Sequence, residues 1–344
     1  MERIPLPPQT QARSSATFTS PPMDGSMCLT QIYDWQAHHS PRHRLFVFNN
    51  RVGNVRTILW KEAIAAIYTG ARSLRAKLAK VLNEKNGAPI VAILTTTDTL
   101  TYFTMIMSVL RADCVVFPIS PRNSAGAVAH LLGKVGADHV LVGLEVAMQE
   151  LLHESLKLFK AKFESRKLPS SSPVFSFEDL FRPDWEDAFT LQPNELPLTL
   201  VNLHDTVLYL HSSGSTAFPK PIPVTNLRFL QFGQIPWFGE QDWNDKVLSM
   251  HVVPMIHGMA VMQTFWAAST GLVISTFEPK FPPIPPTPEN VYEVARATST
   301  DVILCVPSFV EAWACHPEYV QWLASRSGIV SPFYRPSFHV FKNA

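Results

Sequence analysis

Five small residues stand in a row near the middle of the chain: Ser212, Ser213, Gly214, Ser215 and Thr216. They lie within DTVLYLHSSGSTAFPKPIPVTNLRFL, which spans residues 205–230. Small side chains let the backbone curl until several N–H groups and hydroxyls converge on one point. Lys220 follows four residues later and adds a positive charge there. Convergent donors and a cation are the means of holding a polyphosphate. The order is not that of the common P-loop, G-x-x-x-x-G-K-[ST], because here the hydroxyls come first and the lysine last. A second candidate is His257, set between Pro254 and Gly258 in VPMIHGM. It reads either as a pocket histidine or as one packed under an apolar helix.

A phosphate-holding loop needs an element to carry it in and another to fix it. The apolar run at 207–210 predicts the incoming strand, and the spacing after Pro219-Lys220 predicts a helix. Elsewhere apolar strand-like runs (45–49, 90–94, 114–118, 140–142, 247–251, 272–276, 302–305) alternate with helical spacing (57–82, 100–110, 128–135, 145–163, 259–268, 289–297, 308–315). Strands that are almost wholly apolar, separated by helices, predict an α/β fold with a parallel sheet covered on both faces. Residues 167–202 read as an irregular connection with one short helix at most, and the proline cluster at 279–288 as a loop.

Composition bounds the function classes. The chain has 344 residues, 46% hydrophobic and 17% charged, with a formal net charge of +1. That balance gives no electrostatic reason to expect nucleic acid or an anionic membrane surface. Cys28, Cys114, Cys305 and Cys315 are scattered, with no C-x-x-C, and read as reduced thiols. No run approaches the ~18 apolar residues of a membrane span, and no apolar stretch follows the first basic residues, so a cytoplasmic location is expected.

The stretch from Ser212 to Lys220 resembles the phosphate-binding motif of the adenylate-forming superfamily, [T/S]SG[S/T]TGxPKG. Ala217 and Pro221 stand where that motif has glycine. The likeness continues in the expected order. Residues 104–141 are similar to a second motif, with Arg111-Ala112-Asp113 where the family usually has Lys-Ala-Gly and with Phe117-Pro118-Ile119-Ser120-Pro121 at its strand exit. Residues 57–62 resemble the first motif, and residues 253–259 resemble the PxxHxxG segment that lines the carboxylate pocket. Within the superfamily, the lead-in PPMDGSMCLTQIYDWQAHHSPRHRLFVF is similar to that of fungal adenylate-forming reductases, in which carrier and reductase domains follow.

The resemblance implies parallel sheets flanked by helices, incomplete at the C-terminus, and ATP-dependent activation of a small carboxylic acid to an acyl adenylate with release of pyrophosphate. Ser212, Ser213, Gly214, Ser215 and Thr216 would wrap the β- and γ-phosphates. Lys220 and His257 would act catalytically, and Thr216 would lie nearest Mg²⁺. A phosphopantetheine carrier or CoA would accept the acyl group. The implied organisation is a flexible lead-in over 1–25, an adenylation domain over 26–328 and a divergent tail over 329–344. The family's ribose aspartate and C-terminal catalytic lysine have no counterpart in this sequence. The alternative expectation is therefore a catalytically incomplete nucleotide-binding remnant or interaction protein. No G-x-G-x-x-G follows a strand, which argues against a dinucleotide-binding fold.

Overall fold

The alternating runs form two six-stranded sheets in the computed structural model, which describes residues 3–50, 53–85, 87–185, 195–213 and 218–330. The strands are β1 (Arg44–Asn49), β2 (Val55–Leu59), β3 (Ile90–Leu94), β4 (Val115–Pro118), β5 (His139–Val142), β6 (Ser170–Pro173), β7 (Thr206–His211), β8 (Pro221–Thr225), β9 (Val247–Ser249), β10 (Val273–Ser275), β11 (Val302–Leu304) and β12 (Gly328–Val330). One sheet has the order β6-β5-β3-β4-β7-β8 and the other β12-β11-β9-β10-β1-β2. Each is parallel apart from one antiparallel edge strand, β8 on β7 and β2 on β1. The expected α/β architecture of parallel sheets flanked by helices is present, as two sheets with mixed edges.

Burial follows the sequence pattern. β4 and β5 are buried throughout and the helix Thr99–Arg111 is buried at every position after its first. Asp98 starts that helix by accepting from the Thr101 N–H at 2.8 Å. Its internal hydroxyls are satisfied by back-bonding, Thr104 Oγ1 to the Leu100 carbonyl and Ser108 Oγ to the Thr104 carbonyl. At its far end buried Arg111 faces Asp34 at 3.3 Å and donates to the Tyr68 hydroxyl at 2.6 Å. Asp113 then takes φ = +63°, the left-handed region that favours glycine. Its carboxylate accepts from the Thr199 N–H, the Thr199 hydroxyl and the Leu200 N–H at 2.8, 2.6 and 3.1 Å. Three side-chain hydrogen bonds thus offset the strain of a non-glycine residue where the resembling motif has glycine.

Three local expectations are corrected. The segment after Lys220 is not directly helical: it first forms β8, and the helix Asn226–Gln234 begins at its Thr225 cap. The long helix expected over 57–82 after a short strand begins only at Trp60, behind strand β2, and is divided into two helices, Trp60–Lys77 and Ala79–Glu84. The connection over 167–202 contains β6, a strand made of SSSP. Serine has little strand preference. Here Ser170 and Ser172 hydroxyls lie 2.8 Å from the two ring nitrogens of buried His139 on β5, so a side-chain partner recruits the strand.

Among the described residues the Pro/Ser/Thr-rich lead-in has no helix or strand before Leu29, yet it lies against the body. Phe18 and Met23 are buried, and Gln11 donates to the carbonyls of Pro236 and Gln241 at 3.0 and 2.9 Å. Its anchors are isolated apolar and amide side chains with no periodicity, which composition does not reveal.

Candidate functional site

β7 delivers the phosphate-type loop and β8 takes the chain back. His211 pairs with Pro221 across the hairpin, and beyond them Ser212 and Lys220 close its neck. The Ser212 N–H donates to the Lys220 carbonyl, and the Lys220 N–H donates to Ser212 Oγ, both at 3.0 Å. Ser212 and Lys220 are therefore brought together by one backbone–backbone bond and one to the Ser212 hydroxyl, with Ser213 and the Lys220 side chain exposed. Gly214, Ser215 and Thr216 lie outside the described residues. Pro221 and Pro223 fall on an edge strand, where a missing N–H costs no sheet bond on the open side.

The loop's outgoing end is anchored on the helix Ala125–Val135. Phe218 stacks on His130 with ring centroids 5.1 Å apart, and Lys162 stands 5.0 Å from the Phe218 ring. A Cβ at Gly126 would meet the Phe218 ring at 3.5 Å, an ordinary contact, so this approach does not depend on glycine. A cleft of about 570 Å³ runs between the loop and the start of this helix, lined by Arg122, Asn123, Ser124, Ala127, Ser213, Phe218 and Pro219. Its described lining contains no carboxylate, and Ser124 caps the helix, whose N-terminus favours anions.

His257 does not line this cleft. It immediately precedes the helix Gly258–Thr270 and lines a second cavity of about 490 Å³. The walls come from residues just past the C-terminal ends of four strands: Thr95–Thr99 after β3, Ser120–Arg122 after β4, His251–His257 after β9 and Phe277 after β10. Open α/β sheets place their ligands at such strand ends. The His257 ring is exposed by area, yet neighbouring protein still desolvates it. That desolvation, then repulsion from His211 and Arg122, lowers its pKa from the ordinary histidine value. A neutral imidazole at pH 7 follows, able to donate or accept a hydrogen bond.

Four residues at the site were not foreseen. His211 accepts from the Ser120 N–H at 3.1 Å through Nε2 and donates through Nδ1 to the Ser212 carbonyl at 2.9 Å, tying β4's exit to the loop. Tyr102 and His251 form part of the cavity wall, and both are buried. The Tyr102 hydroxyl and His251 Nε2 have no hydrogen-bond partner, while His251 Nδ1 lies 2.7 Å from Ser249 Oγ. The Thr276 carbonyl near His251 pulls its pKa upward without meeting hydrogen-bond geometry, but burial dominates and lowers it to about 4. Arg122, the fourth, borders both cavities. Lone polar residues carry no spacing signal, and only the order of the strands collects them. Trp237 lies in the core, the more frequent place for an aromatic residue in a large protein.

The fold and these two spaces define a class: a two-sheet α/β protein with a phosphate-type hairpin next to a histidine-lined cavity. The family model for AMP-binding enzymes matches residues 33–330, and the chain belongs to that family. It is 39% identical over 332 residues to adenylate-forming reductase Nps10 of Heterobasidion annosum, covering 95% of this chain and 30% of that protein. It is 30% identical over 324 residues to adenylate-forming reductase Nps11 of Serpula lacrymans, covering 90% of this chain and 28% of that protein. The chain thus spans about three tenths of the length of these relatives. Among solved structures, the N-terminal subdomain of Klebsiella oxytoca NpsA in complex with 3-hydroxybenzoyl-AMSN matches with a TM-score of 0.61 at 15% identity, covering 89% of this chain and 66% of that one. At that identity the likeness concerns the fold. Among the described residues no helix is long and apolar enough to cross a membrane.

Proposed function

We propose that this chain supplies the phosphate-facing and acid-facing walls of a site that activates a small carboxylic acid with ATP. In the reaction a carboxylate oxygen bonds to the α-phosphorus, the bond from that phosphorus to the oxygen bridging to the β-phosphorus breaks, and pyrophosphate leaves. The observation that carries this reading is that two spaces adjoin at Arg122, one lined by Ser213 of the loop and the other by His257. Ser212, Ser213, Gly214, Ser215 and Thr216 are assigned to the β- and γ-phosphates, with Lys220 adding charge as pyrophosphate forms. His257, neutral, is assigned to the acid carboxylate as a hydrogen-bond partner. The loop-side cleft, with no carboxylate in its described lining, suits a polyanion. Mg²⁺, which the family uses, would neutralise phosphate charge beside Thr216.

The likeness to adenylate-forming reductases supports a place in a longer cytoplasmic protein, with a carrier or CoA receiving the acyl group and a reductase domain downstream. In this arrangement residues 26–328 form the N-terminal part of the adenylation domain, after the lead-in at 1–25 and before the tail at 329–344. The test is ATP–pyrophosphate exchange against a panel of carboxylic acids. Acid-dependent exchange that is lost in Lys220→Ala supports activation by this chain. Nucleotide binding without exchange for any acid, in a folded preparation, leaves the catalytically incomplete reading in its place.

A further inference from the structure

The loop-side cleft and the His257 cavity share one described lining residue, Arg122. It sits in the short link between β4 and the helix Ala125–Val135. That link is fixed at both ends: the Arg122 N–H donates to Ser120 Oγ at 3.3 Å, and Ser124 Oγ accepts from the Ala127 N–H at 3.3 Å. The guanidinium is exposed and, among the described residues, forms no ion pair. Next to it, Asn123 Nδ2 is buried without a partner. On the cavity side the one carboxylate in the wall, Asp98, is already engaged by the Thr101 N–H. An unpaired cation therefore stands at the junction of two anion-tolerant spaces.

We propose that Arg122 binds the α-phosphate of the nucleotide, the group that must face the polyphosphate loop on one side and the acid on the other. This rests on the adenylation reading above. Bringing a carboxylate up to an α-phosphate sets two anions against each other, and a planar guanidinium can donate to both oxygens at once. An ammonium fixed in the loop lacks that fork and serves the leaving pyrophosphate instead. Arg122 thereby separates the binding of AMP-type ligands from that of pyrophosphate.

The test is calorimetric titration of AMP, ATP and inorganic pyrophosphate into the wild-type chain and into Arg122→Ala, Arg122→Gln and Arg122→Lys. Removing the guanidinium is expected to weaken AMP and ATP by about tenfold, the scale of one charge-assisted contact, and pyrophosphate by less than about twofold. Arg122→Lys is expected to fall between. The glutamine variant keeps the first part of the stem and a polar end without the charge, so a packing defect in the alanine variant alone would show as a difference between the two. Wild-type affinity for AMP in both Arg122→Ala and Arg122→Gln would overturn the proposal while leaving the adenylation reading intact. An equal loss for pyrophosphate would overturn the α-phosphate assignment, because it would reveal a general field. A wild-type chain that binds neither nucleotide would sink both readings.

Discussion

The loop hairpin and the wall after β9 line adjoining spaces but are built differently. The hairpin lies on a sheet edge. Its neck is held by one backbone–backbone bond and one bond from a backbone N–H to the Ser212 hydroxyl, and its chemistry-bearing groups, Ser213 and Lys220, are exposed. The wall after β9 rises from an interior strand, and its buried polar member, His251, packs against Phe277 with ring centroids 4.5 Å apart. Exposed groups on an edge can reach a ligand at little cost to the fold. Buried polar groups on an interior strand are tied to stability, because each must be desolvated when the chain folds. Changes on the wall should therefore show in unfolding, and changes in the loop should show in binding.

The largest effect expected is on the wall and depends on pH. His251 has a folded pKa of about 4 because burial disfavours its charged form, whereas in the unfolded chain it titrates near the ordinary 6.5. Between those values the unfolded state takes the proton first. The stability contributed by the neutral ring is complete above pH ~6.5 and is lost as pH falls toward 4, by about 3 kcal/mol at ~1.4 kcal/mol per pKa unit. His139 is lowered to about 4 chiefly by burial and acts with the same sign, so the His251 share is the difference between wild type and His251→Leu. Urea unfolding at pH 7 and pH 4 measures it. Equal pH dependence in the two proteins would show that His251 carries no such share.

The next effect belongs to the loop. Replacing residues 213–219 by Asn-Gly joins β7 to β8 through a two-residue turn that suits an antiparallel pair. The β7–β8 register is set by their own ladder, from Thr206–Thr225 to His211–Pro221, so melting is expected to move by only a few degrees. ATP affinity is expected to fall at least about tenfold, as the convergent donors are removed. A protein that unfolds instead would show that the loop supports the edge, and the contrast between the two regions would fail. Ser212→Ala is the finer version. It removes the acceptor of the Lys220 N–H, a bond worth about 1 kcal/mol, and should weaken ATP by about three- to tenfold. Thermal melting and titration on the same sample separate the two effects.

What the sequence disclosed follows the same division. The loop was legible because its residue types are contiguous: Ser212 to Thr216 and Lys220 announce themselves within nine positions. His257 was legible through its Pro and Gly neighbours. Most strands and helices were legible because their apolar periodicity is local. The cavity wall was not, because Tyr102, Arg122, His251 and Phe277 are adjacent only once β3, β4, β9 and β10 are ordered in two sheets. β8 hid behind two prolines, which read as strand breakers unless the strand is known to be an edge. β6 hid behind serines whose partner, His139, lies about thirty residues upstream. Asp113 looked like a departure from a glycine position, and its compensating partners, Thr199 and Leu200, are far away in the chain.

The smallest effect supplies the control that sharpens the comparison. The other edge hairpin, β1–β2, has a short connection: the Asn50 N–H donates to the Asn54 carbonyl, and the Gly53 N–H donates to the Asn50 carbonyl, both at 2.9 Å. Gly53 holds φ = +83°, and a Cβ added there would meet nothing within 4 Å. Gly53→Ala therefore strains the backbone without any clash, at a cost of about 1 kcal/mol or less. This connection bears no row of hydroxyls and no lysine like those of the β7–β8 loop, so ATP affinity should stay within about twofold. Comparable losses of stability in Gly53→Ala and Ser212→Ala, with binding lost only in the second, would assign the chemistry to one edge and plain chain reversal to the other. A matching fall in ATP affinity in Gly53→Ala would mean that the two sheets transmit edge strain to the site, and the loop could no longer be treated as a separable element.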